Sequence, residues 1–269
     1  MTNTNRIIAF IAALTLCTAL TAGCSSKKES SSESTATVQT TADTISEAAE
    51  GDDIDLEAYM AALDSGLDPE NDADATPIEE DEDMSRASSS NKNSKLVEYI
   101  KISPNRSSPR NHKIDTITIH CMAGQLSVET CGNVYASSKA QSSANYGVGK
   151  DGRIAMYVEE KDRSWCSSNS VNDNRAVTIE VASDSYAPYA VSDAAYKSTI
   201  KLVADICKRN GIEKLVWSND KNERVNHLNG ANMTVHRDYA NKACPGDYLY
   251  SRMGDIAEKV NAILDKENK

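Results

Sequence analysis

The segment Ile114-Asp115-Thr116-Ile117-Thr118-Ile119-His120-Cys121 has the alternation from which the rest of the chain is read. Asp115, Ile117, Ile119 and Cys121 fall on one side, and Thr116, Thr118 and His120 on the other. That period of two is the signature of a strand. Residues Ala176 to Ala182 repeat the pattern, with Val177, Ile179 and Val181 on one face and Thr178 and Glu180 on the other. Between these segments, Ser127 to Lys139 suits a helix entered by Ser127 as its cap. Asn145 to Val158 reads as a hairpin turning at Asp151-Gly152. Beyond them, Tyr196, Ile200, Val203 and Ile206 mark a helix closed by Lys208-Arg209-Asn210-Gly211. Leu215 to Trp217 and Met233 to His236 are expected to be short strands. Leu249, Met253, Ile256, Val260 and Ile263 step by four and three along a last amphipathic helix. Strands interleaved with helices predict an α/β fold, a sheet covered by helices. No internal repeat is visible.

The 269 residues are 39% apolar and 26% charged, with only two Trp and one Phe, so the core must rest on aliphatic residues and Tyr. The net charge of −11 argues against nucleic acid as a partner. That charge is uneven. Residues 25–95 hold 19 Asp/Glu against 5 Lys/Arg, whereas 96–269 carries +2. Residues 25–95 are rich in Ser, Thr, Ala, Asp and Glu and cannot bury enough apolar surface to offset their ordering entropy, so they read as a disordered acidic linker. Ile54, Leu56, Tyr59, Met60 and Leu63 interrupt it as a short amphipathic stretch, read as transient helix in a linker or as a docking helix. Residues 1–24 read as an export signal: Arg6, an uncharged apolar run from Ile7 to Ala22, then Leu20-Thr21-Ala22-Gly23-Cys24. The run is short for a membrane span, which needs about 20 apolar residues. The ending resembles a bacterial lipobox, in which Cys24 would be lipidated; a signal peptide cut elsewhere, or an uncleaved anchor, is the alternative. The domain is expected to span 96–269.

Thr234-Val235-His236-Arg237-Asp238-Tyr239-Ala240-Asn241-Lys242-Ala243-Cys244-Pro245-Gly246 is the richest stretch chemically. It places an imidazole, an ammonium and a thiol within nine residues. Thiolate and imidazole are good zinc ligands, and three protein ligands with one open position is the catalytic arrangement. His120, ending a strand with Gly124 after it, is the best third ligand. Taken singly, each has a plainer reading: a strand-end His as a hydrogen-bonded core residue, a lone Cys as a small buried hydrophobe.

Four blocks then fall in one order: Ile117-Thr118-Ile119-His120, Ser143-Ala144-Asn145-Tyr146, Ala176-Val177-Thr178-Ile179-Glu180, and His236 through Lys242 to Cys244-Pro245-Gly246. Their combination resembles the zinc-dependent N-acetylmuramoyl-L-alanine amidases of type 2, a superfamily that includes phage endolysins and peptidoglycan recognition proteins. The resemblance implies a mixed central β-sheet flanked by helices, with zinc in a surface groove. It implies Zn2+ held by His120, His236 and Cys244, and cleavage of the amide between N-acetylmuramic acid and L-alanine of the stem peptide. Glu180 suits the general base, with pairing to an Arg or Lys as its structural alternative. Lys242 sits where a cation could stabilise the oxyanion, or simply faces solvent. Tyr146 matches a family Tyr near the zinc, or packs in the hairpin. His112 and His227 are read as structural, and Trp165 and Trp217 as core packing rather than sugar-stacking groups. Cys121, Cys131, Cys166 and Cys207 are left with their disulfide state open. The partners expected are peptidoglycan and, through a lipid anchor, the outer face of a bacterial cytoplasmic membrane; a secreted form is the variant of this reading. A monomer is expected. A non-catalytic peptidoglycan-binding protein of the same fold, and a thiol hydrolase using Cys244 with His236 as base, are the alternatives.

Overall fold

A computed structural model describes residues 93–267. The signal-like segment with Cys24, and all but the last three residues of the acidic 25–95 stretch, including Ile54 to Leu63, lie outside the described residues. The described chain runs β1 (Tyr99–Ile100), β2 (Arg106–Ser107), β3 (Thr116–Cys121), α1 (Val128–Tyr135), β4 (Tyr146–Val148), β5 (Ile154–Met156), β6 (Arg163–Ser164), α2 (Ser170–Arg175) and β7 (Ala176–Val181). It continues through α3 (Asp193–Arg209), α4 (Lys221–Val225), β8 (Met233–Val235), α5 (Gly246–Tyr250) and α6 (Met253–Glu267).

Six strands form one mixed sheet in the order β1-β5-β4-β7-β3-β8, and β2 pairs with β6 separately. β3 lies parallel to both β7 and β8, β4 parallel to β7, and only β4 and β5 run antiparallel within the large sheet. The expected hairpin is therefore present. Gly152 at its turn has φ +87°, a conformation L side chains rarely adopt. Ser127 caps α1 by accepting the Thr130 amide, as its position implied.

Both faces of the sheet are covered. On one, Ile117, Ile119, Val177, Ile179, Met233 and Val235 pack against α3 and α6 through residues such as Leu202, Ile206, Ile256 and Val260, and those helices contact each other. On the other, α1 lies over β1, β4 and β5 and buries Val128, Cys131, Val134 and Tyr135 against Ala155 and Tyr157. Close approach is absolute at Gly147, where a Cβ would stand 2.5 Å from the Tyr157 ring.

Two expectations fail locally. Leu215 to Trp217 is not a strand; Val216 makes its backbone bonds to Asn232 and Met233 outside any ladder. The last amphipathic run is split, with Leu249 on α5 and Met253 onward on α6. Among the described residues no helix is long and apolar enough to cross a membrane.

Candidate metal centre

The second face of the central strands is polar yet dry. Thr116, Thr118, His120, Thr178 and Thr234 are all fully buried. Parallel strands deliver their polar residues to one end of the sheet, beyond their carboxyl termini, which is where ligands bind in open α/β sheets. His120 is the penultimate residue of β3 and Glu180 that of β7, and the two are register partners. His236 follows directly on β8, in a short 3-10 turn. Cys244 arrives on the next loop, just before α5. Gly246 lets that loop close: its φ is +78°, and a Cβ there would lie 2.4 Å from Tyr189 Cβ.

The structure brings His120, His236 and Cys244 together. Their ligand atoms all lie within 4.8 Å of one another. His120 Nδ1 stands 3.5 Å from Cys244 Sγ, and the two imidazole centroids are 5.0 Å apart. Cys244 Sγ accepts the Cys121 amide at 3.4 Å. A tetrahedral zinc with bonds of about 2.0–2.3 Å separates its donors by roughly 3.5 Å, so the set needs only a small contraction to fit. The test that favours a metal is a pair of orphaned atoms. His120 Nε2 and Glu180 Oε2 are buried without a hydrogen-bond partner. An unmet polar atom costs about 1–3 kcal/mol, and a cation held at this end of the sheet, with its charge close to Glu180, would offset that cost.

Electrostatics agree. Burial, aided by His236, holds His120 well below the ordinary imidazole range. Burial and the Lys242 charge bring His236 down to about 4. Both rings are therefore neutral at physiological pH, the form that ligates metal. Burial raises the Cys244 thiol, with the neighbouring Cys121 thiol adding to it. Glu180 is raised to about 7 by burial, partly offset by hydrogen bonds from Tyr135 and Cys166. The alternative in which Glu180 pairs with Lys or Arg finds no support: its partners are the Tyr135 hydroxyl and the Cys166 thiol.

Asn172 on α2 organises the layer beneath. Its amide nitrogen donates to Thr118 Oγ1 at 3.0 Å and to Ser167 Oγ at 3.1 Å. Its carbonyl accepts from Thr234 at 3.1 Å and Tyr239 at 2.9 Å. Asp173 beside it accepts the Cys166 and Ser167 amides and the Ser167 hydroxyl, fixing the loop that carries Cys166 and Ser168. Ser168, at φ +57°, sets its hydroxyl 3.1 Å from His236 Nε2. These residues sit on α2 and the loop that leads into it from β6. The pieces are too short to show periodicity, and nothing in the sequence marks them.

Tyr146 needs correcting. Its register partner is Ile179, so it faces the apolar side of the sheet, opposite Glu180. Its hydroxyl donates to Glu160 at 2.7 Å and accepts the Ser94 amide at 2.9 Å. The structure does not bring it to the centre. Trp165 is buried, bonded to Ser107, and Trp217 stacks under Arg224 at 4.3 Å; both are packing residues. His112 contacts the Lys113 carbonyl and His227 the Ala231 carbonyl, away from the cluster. All five described cysteines are free thiols.

The family model for N-acetylmuramoyl-L-alanine amidase matches residues 110–247. This chain belongs to that family. The amidase fold it implies is the mixed sheet flanked by helices described above, and the activity it carries is peptidoglycan amide hydrolysis rather than binding alone. None of the curated proteins matches the sequence. Among solved structures, PlyL is similar to the amidase domain at 15% identity and TM-score 0.46, covering 60% of this chain and 95% of its own. A mutant endolysin from Bacillus subtilis is similar at 15% identity and TM-score 0.45, covering 60% and 97%. A selenomethionine AmpD derivative follows at 16% identity and TM-score 0.44, covering 62% and 98%.

Proposed function

We propose that this amidase is zinc-dependent, that His120, His236 and Cys244 hold the ion, and that it cleaves the amide between the lactyl group of N-acetylmuramic acid and L-alanine. The observation that carries the reading is the convergence of two neutral imidazoles and one thiol within 4.8 Å, with His120 Nδ1 3.5 Å from Cys244 Sγ. When bound, zinc supplies a Lewis acid that polarises the scissile carbonyl and raises the acidity of water. Cys244 Sγ gives up its proton on loading, which its burial opposes in the empty site. Glu180 takes the proton of the attacking water at its carboxylate and returns it to the alanine nitrogen as the C–N bond breaks. Its burial lifts its affinity for a proton towards neutrality, which suits both steps. Lys242 provides positive charge at the oxygen of the tetrahedral intermediate; its influence on His236 supports this nearness.

We further read Cys24 as the lipidated end of an exported protein, with the acidic segment as a tether holding a monomeric domain at the outer face of the membrane, within reach of the wall. Labelling with a fatty-acid analogue should be lost in Cys24→Ala. Activity is tested by release of stem peptides from purified wall. Chelator should abolish release and added zinc restore it. Release that persists through exhaustive chelation would overturn the zinc reading, and iodoacetamide sensitivity of a metal-free active protein would favour Cys244 as nucleophile.

A further inference from the structure

A second set of donors stands next to the first. His120, Cys166 and Glu180 also place their ligand atoms within 4.8 Å of one another. Cys166 Sγ points at Glu180 Oε1 from 3.9 Å. His120 is fully buried and Glu180 only 6% exposed, and each has an atom with no hydrogen-bond partner, Nε2 in one and Oε2 in the other. Two unmet atoms on neighbouring ligand-type side chains, next to a thiol, are what a bound cation would satisfy. The ligand chemistry is that of a soft or borderline dication. One thiolate, one imidazole and one carboxylate make a mixed S/N/O set, and the two anionic donors balance a 2+ charge. The loop carrying Cys166 is held rigidly by Asp173, so the thiol is positioned rather than free to wander.

We propose that this amidase has a second, inner metal position formed by His120, Cys166 and Glu180. It shares His120 with the outer position of His120, His236 and Cys244, so the protein holds one ion at a time. An ion in the inner position engages Glu180 as a ligand and so withdraws the carboxylate from proton transfer. The inner position is a storage state and the outer one the working state. The proposal rests on the reading that this face of the sheet binds metal, but not on the identity of the bond cleaved.

The test uses the full chain and zinc or cadmium alone as probe, with binding measured by equilibrium dialysis and thiolate-to-cadmium absorption. Wild type is expected to take up one ion per chain. Cys244→Ala and His236→Ala, each checked for folding by circular dichroism, are expected still to take up one ion, and in Cys244→Ala the thiolate band persists. Adding Cys166→Ala to Cys244→Ala should abolish both uptake and band. A folded Cys244→Ala that binds nothing, or whose band survives loss of Cys166, overturns the inner position. Wild type that binds no ion overturns this and the zinc reading together, whereas wild type with one ion and an empty Cys244→Ala overturns this one only. Should Cys244→Ala not fold, Cys244→Ser and its double variant with Cys166→Ala decide in the same way.

Discussion

Glu180 combines a burial cost with a chemical purpose. Burial pushes its carboxyl up from the ordinary 4.5 to about 7. The unfolded chain therefore ionises first, and the native state loses stability as pH rises from about 4.5 to about 7. Gln at this position bears no such cost. In chelator, the stability difference between Glu180→Gln and wild type should move in favour of the variant by about 3 kcal/mol between pH 4 and pH 8. A pH-independent difference in denaturant melts would show that the carboxylate is not strained by burial. The same variant should lose about 10²–10⁴ in turnover on wall substrate, the range for a lost general base. Tyr146→Phe should leave turnover within about twofold and cost about 1 kcal/mol of stability, since its hydroxyl serves Glu160 and Ser94. A large loss of turnover there would restore it to the centre. His120, Glu180, His236 and Cys244 were legible in the sequence because each ends a strand or opens a turn within a family block. Tyr146 was misplaced because a motif fixes a residue's neighbours in sequence, whereas register fixes its face.

At the scale of elements, β3, β7, α3 and the hairpin could be read directly, since each has enough residues to express a period. β1, β2 and β6 have two residues each, a single repeat that cannot show recurrence, and α2 and α4 have fewer than two turns. Yet α2 carries Asn172 and Asp173, so the supporting layer of the site was the part least visible. The polar faces of β3 and β7 are buried, as is Thr234 on β8, whose hydroxyl stands 2.7 Å from that of Thr118 across the ladder. α4 and the turn bearing His236 are joined by Arg224 and Asp238, both about 1% exposed, at 2.5 and 2.9 Å. Asp238 also accepts the Val235 amide, which pins the turn to β8. Asp238→Ala strands a buried guanidinium and should cost about 3–5 kcal/mol, measured by urea unfolding. A change under 1 kcal/mol would show that the pair does not hold this turn.

For the whole molecule, charge asymmetry separates a near-neutral 96–269 from an acidic 25–95, and hydrogen bonds tie the last residues of the acidic segment to the domain. Asn93 donates to Glu159 and accepts the Glu160 amide, while Ser94 bonds Tyr146. A chain beginning at Lys92 should therefore be more stable by about 1–2 kcal/mol than one beginning at Leu96, through bonds lost in the latter. Equal melting of the two would remove these residues from the domain. The Leu215 to Trp217 segment escaped the strand expectation because it bonds to the approach to β8 rather than along it, a matter of tertiary placement that no local pattern encodes. The centre is the point where strands β3, β7 and β8 meet the loop of Cys244, and the account stands on that meeting point holding an ion. The decisive measurement is the zinc content of purified wild type and His120→Ala, taken alongside stem-peptide release. One zinc per chain with release in the wild type, and neither in a folded His120→Ala, is the predicted result; zinc or release surviving in His120→Ala would contradict it.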